Sequence, residues 1–225
     1  MTWHPDTPMA YRNQIVTGDA RELAQRIPDE SVDLIFTDPV YQNIDDYQWL
    51  AETAVRILKS DGTLLTYHGI GFLPDTLGAL QAGGMHFAWQ FVSYMPTLNA
   101  RGAYMTFSNW RSLLCFTKTT YRPQHHIRDL IVERYAPSDT GHRWAKNLQA
   151  VTYYLEAFCP ASGVLFDPFA GGGTIPTAAK TLRRNYIAFE IDPDTAQRAR
   201  ERVYNTLRPL FTEDHTVQLT LEEPQ

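Results

Sequence analysis

Phe166-Asp167-Pro168-Phe169-Ala170-Gly171-Gly172-Gly173-Thr174 is the stretch of this 225-residue chain that decides its fold. Val164-Leu165-Phe166 leads into it as a short apolar run, the mark of a buried strand. Behind it, Ile175, Ala178, Ala179 and Leu182 recur at helical spacing. Glycines between a strand and a helix let a ligand approach the backbone, and the unpaired amides of the helix start attract a carboxylate. In open α/β sheets such a turn lies at the carboxyl edge, where ligands bind. No third glycine follows at the offset of a dinucleotide fingerprint, and no Gly-Lys-Ser/Thr follows as in a phosphate loop. The next strand, Tyr186 to Phe189, ends in Glu190, an acid able to accept two ribose hydroxyls. Glycine-rich turn and downstream acid together predict an adenosine ligand that carries a carboxylate.

Outward from this turn, strands and helices alternate. Val32–Phe36 reads as a buried parallel strand. Tyr47, Leu50, Ala51, Ala54, Val55 and Leu58 then follow at helical spacing, with Asp61-Gly62 as a stop. Thr63–Tyr67 is the next strand, and a weaker helix covers about 74–81. His86–Tyr94 and Ser112–Lys118 are strand candidates, and the alternating Phe87, Trp89 and Phe91 suggest core packing. Residues 119–141, with Pro123, Pro137 and Gly141, read as mostly loop, and the tail after Glu213 as a frayed end. A last helix covers about 194–207, its Arg198, Arg200 and Arg202 reading as a solvated face. The alternation implies right-handed βαβ units, a mainly parallel sheet covered on both faces, and one domain over 1–225.

Thr37-Asp38-Pro39-Val40-Tyr41 directly follows the strand at 32–36. Asp38 and the Pro39 carbonyl can accept the two hydrogens of a planar amine while Tyr41 stacks on its ring. Acceptors at such a strand end are costly if left unpaired, which favours a substrate that donates. An ordinary Asp-Pro turn beside a core tyrosine has the same composition.

Composition narrows the class. Apolar residues are 44% and charged residues 20%, enough for a packed core and too apolar for wholesale disorder. Two cysteines make no disulfide framework and no zinc spacing, which suits a reducing cytosol and implies no metal. His125-His126 reads as a loop pair and His68 as a satisfied structural histidine. The polar N-terminus does not read as a signal peptide, and no run approaches a membrane span, so a cytoplasmic protein without membrane association is expected. Net charge is −5, yet residues 101–146 hold 8 Lys+Arg against 3 Asp+Glu. One basic segment in an acidic chain is a footprint of a polyanion partner.

Together the two motifs resemble those of the amino-methylating DNA methyltransferases that use S-adenosylmethionine. That family carries Asp-Pro-Pro-Tyr for the target base and Phe-x-Gly-x-Gly for the cofactor. The order here, catalytic motif first, resembles the circularly permuted beta class. Gly18-Asp19-Ala20 and the pair His142 and Lys146 match further pieces, so the likeness spans about residues 13–207. Val40 departs from it by replacing the second proline, and the recognition insert is minimal, about 97–146, of which only some 119–141 is spare.

The resemblance implies a Rossmann-like seven-stranded α/β fold, mostly parallel with one antiparallel strand from the hairpin at about 86–118. It implies catalytic roles for Asp38, Pro39 and Tyr41. Cofactor contacts are implied for Asp19, Ala20, Asp38, Lys146, Asp167, Pro168, Phe169, Gly171, Gly172, Gly173, Thr174, Glu190, Ile191 and Asp192. DNA is the implied partner, with Arg101, Arg111, Lys118, Arg122, Arg128, Arg134 and Arg143 as phosphate contacts. The implied reaction is methylation of a base amine, adenine N6 before cytosine N4, because beta-class cytosine enzymes more often begin the motif with serine. RNA or protein-amide methylation and a catalytically weak DNA-binding regulator are the alternatives. A homodimer and a restriction-enzyme partner are compatible with the reading.

Overall fold

The computed structural model describes residues 11–96, 100–101, 106–119, 123–133 and 147–206. Among the described residues ten strands run in chain order: β1 (Gln14–Thr17), β2 (Val32–Thr37), β3 (Leu58–Tyr67), β4 (His86–Tyr94), β5 (Ala100–Arg101), β6 (Phe107–Ser108), β7 (Trp110–Thr117), β8 (Leu130–Val132), β9 (Val164–Asp167) and β10 (Asn185–Glu190). Six α-helices accompany them: α1 (Ala20–Leu23), α2 (Ile44–Ile57), α3 (Leu73–Ala82), α4 (Leu148–Phe158), α5 (Thr174–Thr181) and α6 (Pro193–Asn205). Eight strands form one sheet in the order β1-β10-β9-β2-β3-β7-β4-β8, and β5 with β6 makes a separate small hairpin. Within that sheet only β7 runs antiparallel to its neighbours.

The resemblance implied seven strands; this sheet has eight, the six read from the sequence together with β1 at one edge and β8 at the other. β8 pairs with Val92, Ser93 and Tyr94 of β4, inside a segment whose sequence lacks periodicity. Phe91 is buried against Tyr154 and Phe158 of α4, whereas Phe87 and Trp89, on the part of β4 that β8 does not reach, are 46% and 48% exposed. A register shift between Phe87 and Trp89 also sets Phe87 against Phe116 rather than in one stripe with Trp89. Asp61-Gly62 does not stop α2. The helix ends at Ile57, and the pair lies within β3, where the register with β2 shifts between Val32 and Leu34.

Helices cover both faces of the sheet. Leu34, Phe36, Leu65 and Cys115 pack with residues of α4, α5 and α6. Ile35, Leu64, Leu114 and Phe116 pack with α2 and α3. Successive side chains of a strand point to opposite faces, so a strand covered on both reads as continuously apolar. α2 and α3 approach so closely that a Cβ on Gly83 would lie 2.4 Å from Ala51 Cβ.

Candidate active site

β9 and β2 are adjacent and parallel, and their crossovers leave in opposite directions, β9 toward β10 and β2 toward β3. Such a switch point opens a crevice at the carboxyl ends. Asp167 ends β9, and Asp38 follows β2. Thr37 Oγ1 ties the two ends by donating to Asp167 Oδ1 at 2.8 Å.

Asp167 is fully buried, so it lies beneath the turn rather than facing a ligand. Oδ1 also accepts the Phe169 amide at 3.2 Å, while Oδ2 has no hydrogen-bond partner. Burial pushes the carboxyl up to about 8; the Thr37 and Phe169 bonds oppose this, and the charges of Asp38 and Glu190 add to it. Gly171 and Gly173 have φ of +48° and +76°, where a side chain is strained. A Cβ on Gly173 would lie 3.0 Å from Ala199 Cβ, so α6 packs against this residue. A Cβ on Gly172 would meet nothing within 4 Å, so the turn opens on space there.

Glu190 braces the turn. Its Oε2 accepts the Gly171 amide at 2.8 Å, and Oε1 accepts the Asp192 amide at 2.9 Å. Asp192 caps α6 through Thr195, and those bonds lower its carboxyl. Pro168 and Thr174 are buried, Phe169 is half-buried and Ile191 is 69% exposed. Asp19 caps α1 by accepting the Arg21 amide at 2.8 Å, with Ala20 buried behind it. Gly18, just before it, donates to the Glu190 carbonyl, placing this cap beside the turn.

Asp38 is half-buried, Pro39 buried and Val40 67% exposed. Val40 O accepts the Asn43 amide at 3.0 Å, closing the turn that a second proline would have stiffened. Tyr41 donates to Asp38 Oδ1 at 2.9 Å. Burial raises the Tyr41 pKa, and the Asp38 charge and bond raise it further, so the phenol stays a donor.

Among the basic candidates, Arg111 lies at the carboxyl edge, 3.8 Å from Glu133, and its charge reaches Tyr41 and Tyr67. Arg128 is exposed just ahead of β8. Lys118 does not join them. It sits past the far end of β7, at the opposite edge of the sheet, bonded to Glu30 at 3.0 Å and to the Leu58 carbonyl. Arg101 is described only as backbone in β5, and Arg122, Arg134, Arg143, His142 and Lys146 lie outside the described residues. Among the described residues no cluster of His, Cys, Asp or Glu could hold a metal, and no helix is long and apolar enough to cross a membrane.

Two arginines make site contacts that the sequence reading did not assign to them. Arg202 is no solvated arginine, since its Nη1 donates to Gly172 O at 3.0 Å and Thr174 Oγ1 at 2.7 Å. Arg21 pairs with Asp46 at 2.7 Å and covers the Trp49 ring, which meets Phe169 edge-on. Charges scattered along helices do not announce such partners, although Arg21, two residues beyond a cap, is a findable signal.

A family model described as DNA methylase, of the N6/N4 methyltransferases, matches residues 85–201, more than half of the chain. The chain belongs to this N6/N4 DNA methylase family. A general methyltransferase-domain model matches residues 5–66 of the methylase. Type II methyltransferase M.HpaI of Haemophilus parainfluenzae is 25% identical over 234 residues, covering 84% of this methylase and 74% of its own length. The M1.HpyAVI–SAM complex superposes with a TM-score of 0.71 at 22% identity, covering 84% and 98% of the two chains. PvuII DNA methyltransferase, cytosine-N4-specific, gives the same TM-score at 18% identity, covering 84% and 85%.

Proposed function

We propose that this DNA methyltransferase uses S-adenosylmethionine to methylate an exocyclic base amine, the N6 of adenine. One observation carries the reading: Asp38, half-buried and oriented by Tyr41, stands one strand from a glycine-rich turn that opens on space. The residues fit the methyl donor. Gly172 leaves room for a ligand against the backbone, and Glu190, whose two oxygens each accept one backbone amide, keeps a further lone pair on each for a ribose hydroxyl. When bound, the donor supplies an electrophilic methyl on a positively charged sulfur.

The target base must leave the helix stack to reach that turn. Asp38 then accepts one amine hydrogen and the Pro39 carbonyl the other, drawing the nitrogen toward tetrahedral geometry and freeing its lone pair. Tyr41 stacks on the ring. The Asp38 carboxylate takes the proton that the methylated amine loses. Positioning and electrostatics are the main catalytic terms. Adenine is preferred because the motif begins with Asp38, where serine is more usual for cytosine.

Arg111 and Arg128 are the described candidates for phosphate contact. The chain acts as one catalytic domain with its recognition insert within about 97–146, so it reads a short permissive sequence or pools two surfaces as a homodimer. A restriction enzyme as partner fits the type II relatives. Incubation with unmethylated DNA and labelled donor, followed by nucleoside analysis, tests the reading. N6-methyl-2′-deoxyadenosine is expected. N4-methylcytosine would overturn the base assignment, and no incorporation would overturn the activity.

A further inference from the structure

The carboxyl edge of β3 holds a hydrogen-bond chain that neither motif contains. His68, 5% exposed, places Nε2 at 2.7 Å from Ser112 Oγ and Nδ1 at 3.1 Å from Gly69 O. Gln90 Nε2 donates to the same Ser112 Oγ at 2.8 Å. One assignment of protons satisfies all three contacts. A carbonyl only accepts, so Nδ1 carries the ring proton. Ser112 Oγ accepts from Gln90, so its own proton points at Nε2. Burial lowers the imidazole pKa, which keeps the ring neutral as this assignment requires. The chain thus runs Gln90, Ser112, His68, Gly69, crossing from β4 through β7 to the end of β3.

Gly69 links this chain to the reacting end. Its carbonyl also accepts the Phe72 amide at 2.9 Å. A Cβ on Gly69 would lie 3.1 Å from Tyr41 Cβ and Cδ2, so the backbone here lies directly against the tyrosine ring. Tyr41 in turn donates to Asp38. A buried polar chain is costly unless every member is satisfied, so this one admits a single arrangement of the turn.

We propose that His68 is a positioning residue for methyl transfer: its Nδ1–H bond to Gly69 O fixes the turn on which Tyr41 packs, and with it the surface that receives the target base. The proposal rests on the base-receiving role of Asp38 and Tyr41. Misplacing reacting groups by about 1 Å can cost on the order of 10²-fold in rate, so a loosened turn should be read in turnover.

His68→Phe keeps the volume and removes both bonds. Its kcat should fall about tenfold while cofactor Kd and DNA KM stay within about threefold. With 2-aminopurine replacing the methylated base, the variant's complex should fluoresce more strongly, because the base stacks less on Tyr41. His68→Asn retains a donor near the Nδ1 position and should recover kcat to within about threefold of the parent. Should His68→Phe not fold, Ser112→Ala, which frees the ring from its anchor, should lower kcat about threefold with the same unchanged affinities. Unchanged kcat in His68→Phe, an asparagine variant no better than phenylalanine, or an equal loss of cofactor affinity would overturn the proposal. A parent enzyme inert on DNA would instead overturn the functional reading beneath it.

Discussion

Two Asp-Pro turns stand side by side at the carboxyl edge, Asp38-Pro39 after β2 and Asp167-Pro168 after β9, and they do different work. Asp167 is sealed under its turn, bonded by Thr37 and the Phe169 amide, with its carboxyl pushed up to about 8 by burial. Asp38 is half-buried and accepts a phenol from the crevice wall. The dipeptide is the same, and the residues on its carboxyl side make the difference. Phe169 and three glycines fold back over Asp167, whereas Val40 and Tyr41 leave Asp38 at the mouth. An aspartate at a strand end is thus a sealed brace or an accessible acceptor according to the turn that covers it.

The sharpest way to break this contrast is substitution at both positions. Asp38→Ala should abolish methyl transfer and leave cofactor affinity within a few-fold, since in the proposed reaction the carboxylate touches the reacting amine; more than a tenth of parental turnover would refute its role. Asp167→Ala should unfasten the turn, leaving Thr37 and the Phe169 amide unpaired at about 1–3 kcal/mol each, and so lower both melting temperature and cofactor affinity. Asp167→Asn, a near copy of the protonated carboxyl, should bind cofactor within about threefold of the parent. Calorimetry showing the asparagine variant as damaged as alanine would mean that the charged form matters.

A pH titration sharpens the same point. Asp167 binds its proton more tightly folded than unfolded, so the native state holds more protons between about pH 4, the unfolded value, and about pH 8. Its contribution to stability is therefore fullest below that window and falls as pH rises through it. Thermal unfolding of the ligand-free protein should show this fall, and Asp167→Asn should lack it.

Smaller effects are expected at the brace and the periphery. Arg202→Met should weaken cofactor binding by about 1–2 kcal/mol through the loss of its bonds to Gly172 and Thr174, without altering the DNA dependence of the rate. Arg128→Ala should reduce the salt slope of DNA binding by about one, and Lys118→Ala should leave it unchanged. An equal loss in both would place DNA along the far edge of the sheet.

The residues themselves specified a good deal. Apolar strands flanked by glycine-rich or Asp-Pro turns gave the parallel sheet and the positions of both motifs, because turn chemistry and hydrophobic period are local. Less local features were hidden. β8 is three residues in an aperiodic segment and exists because β4 offers it a free edge. Arg202 reads like its neighbours Arg198 and Arg200, and only the packing of α6 on the glycine turn gives it Gly172 and Thr174 as partners. Lys118 has the charge of a phosphate contact, but the antiparallel course of β7 carries it to the far edge.

By itself, then, the amino-acid sequence determined that a glycine-rich turn and an Asp-Pro motif lie at strand ends, since each is encoded within a few consecutive residues. Only the tertiary structure decided that the two ends are neighbours tied by Thr37 and Asp167, that Asp167 lies buried while Asp38 faces the crevice, and that His68 reaches Tyr41 through Gly69. Those relations join residues far apart in the chain, and they depend on strand order, burial and the shape of the covering turn, which no local pattern carries.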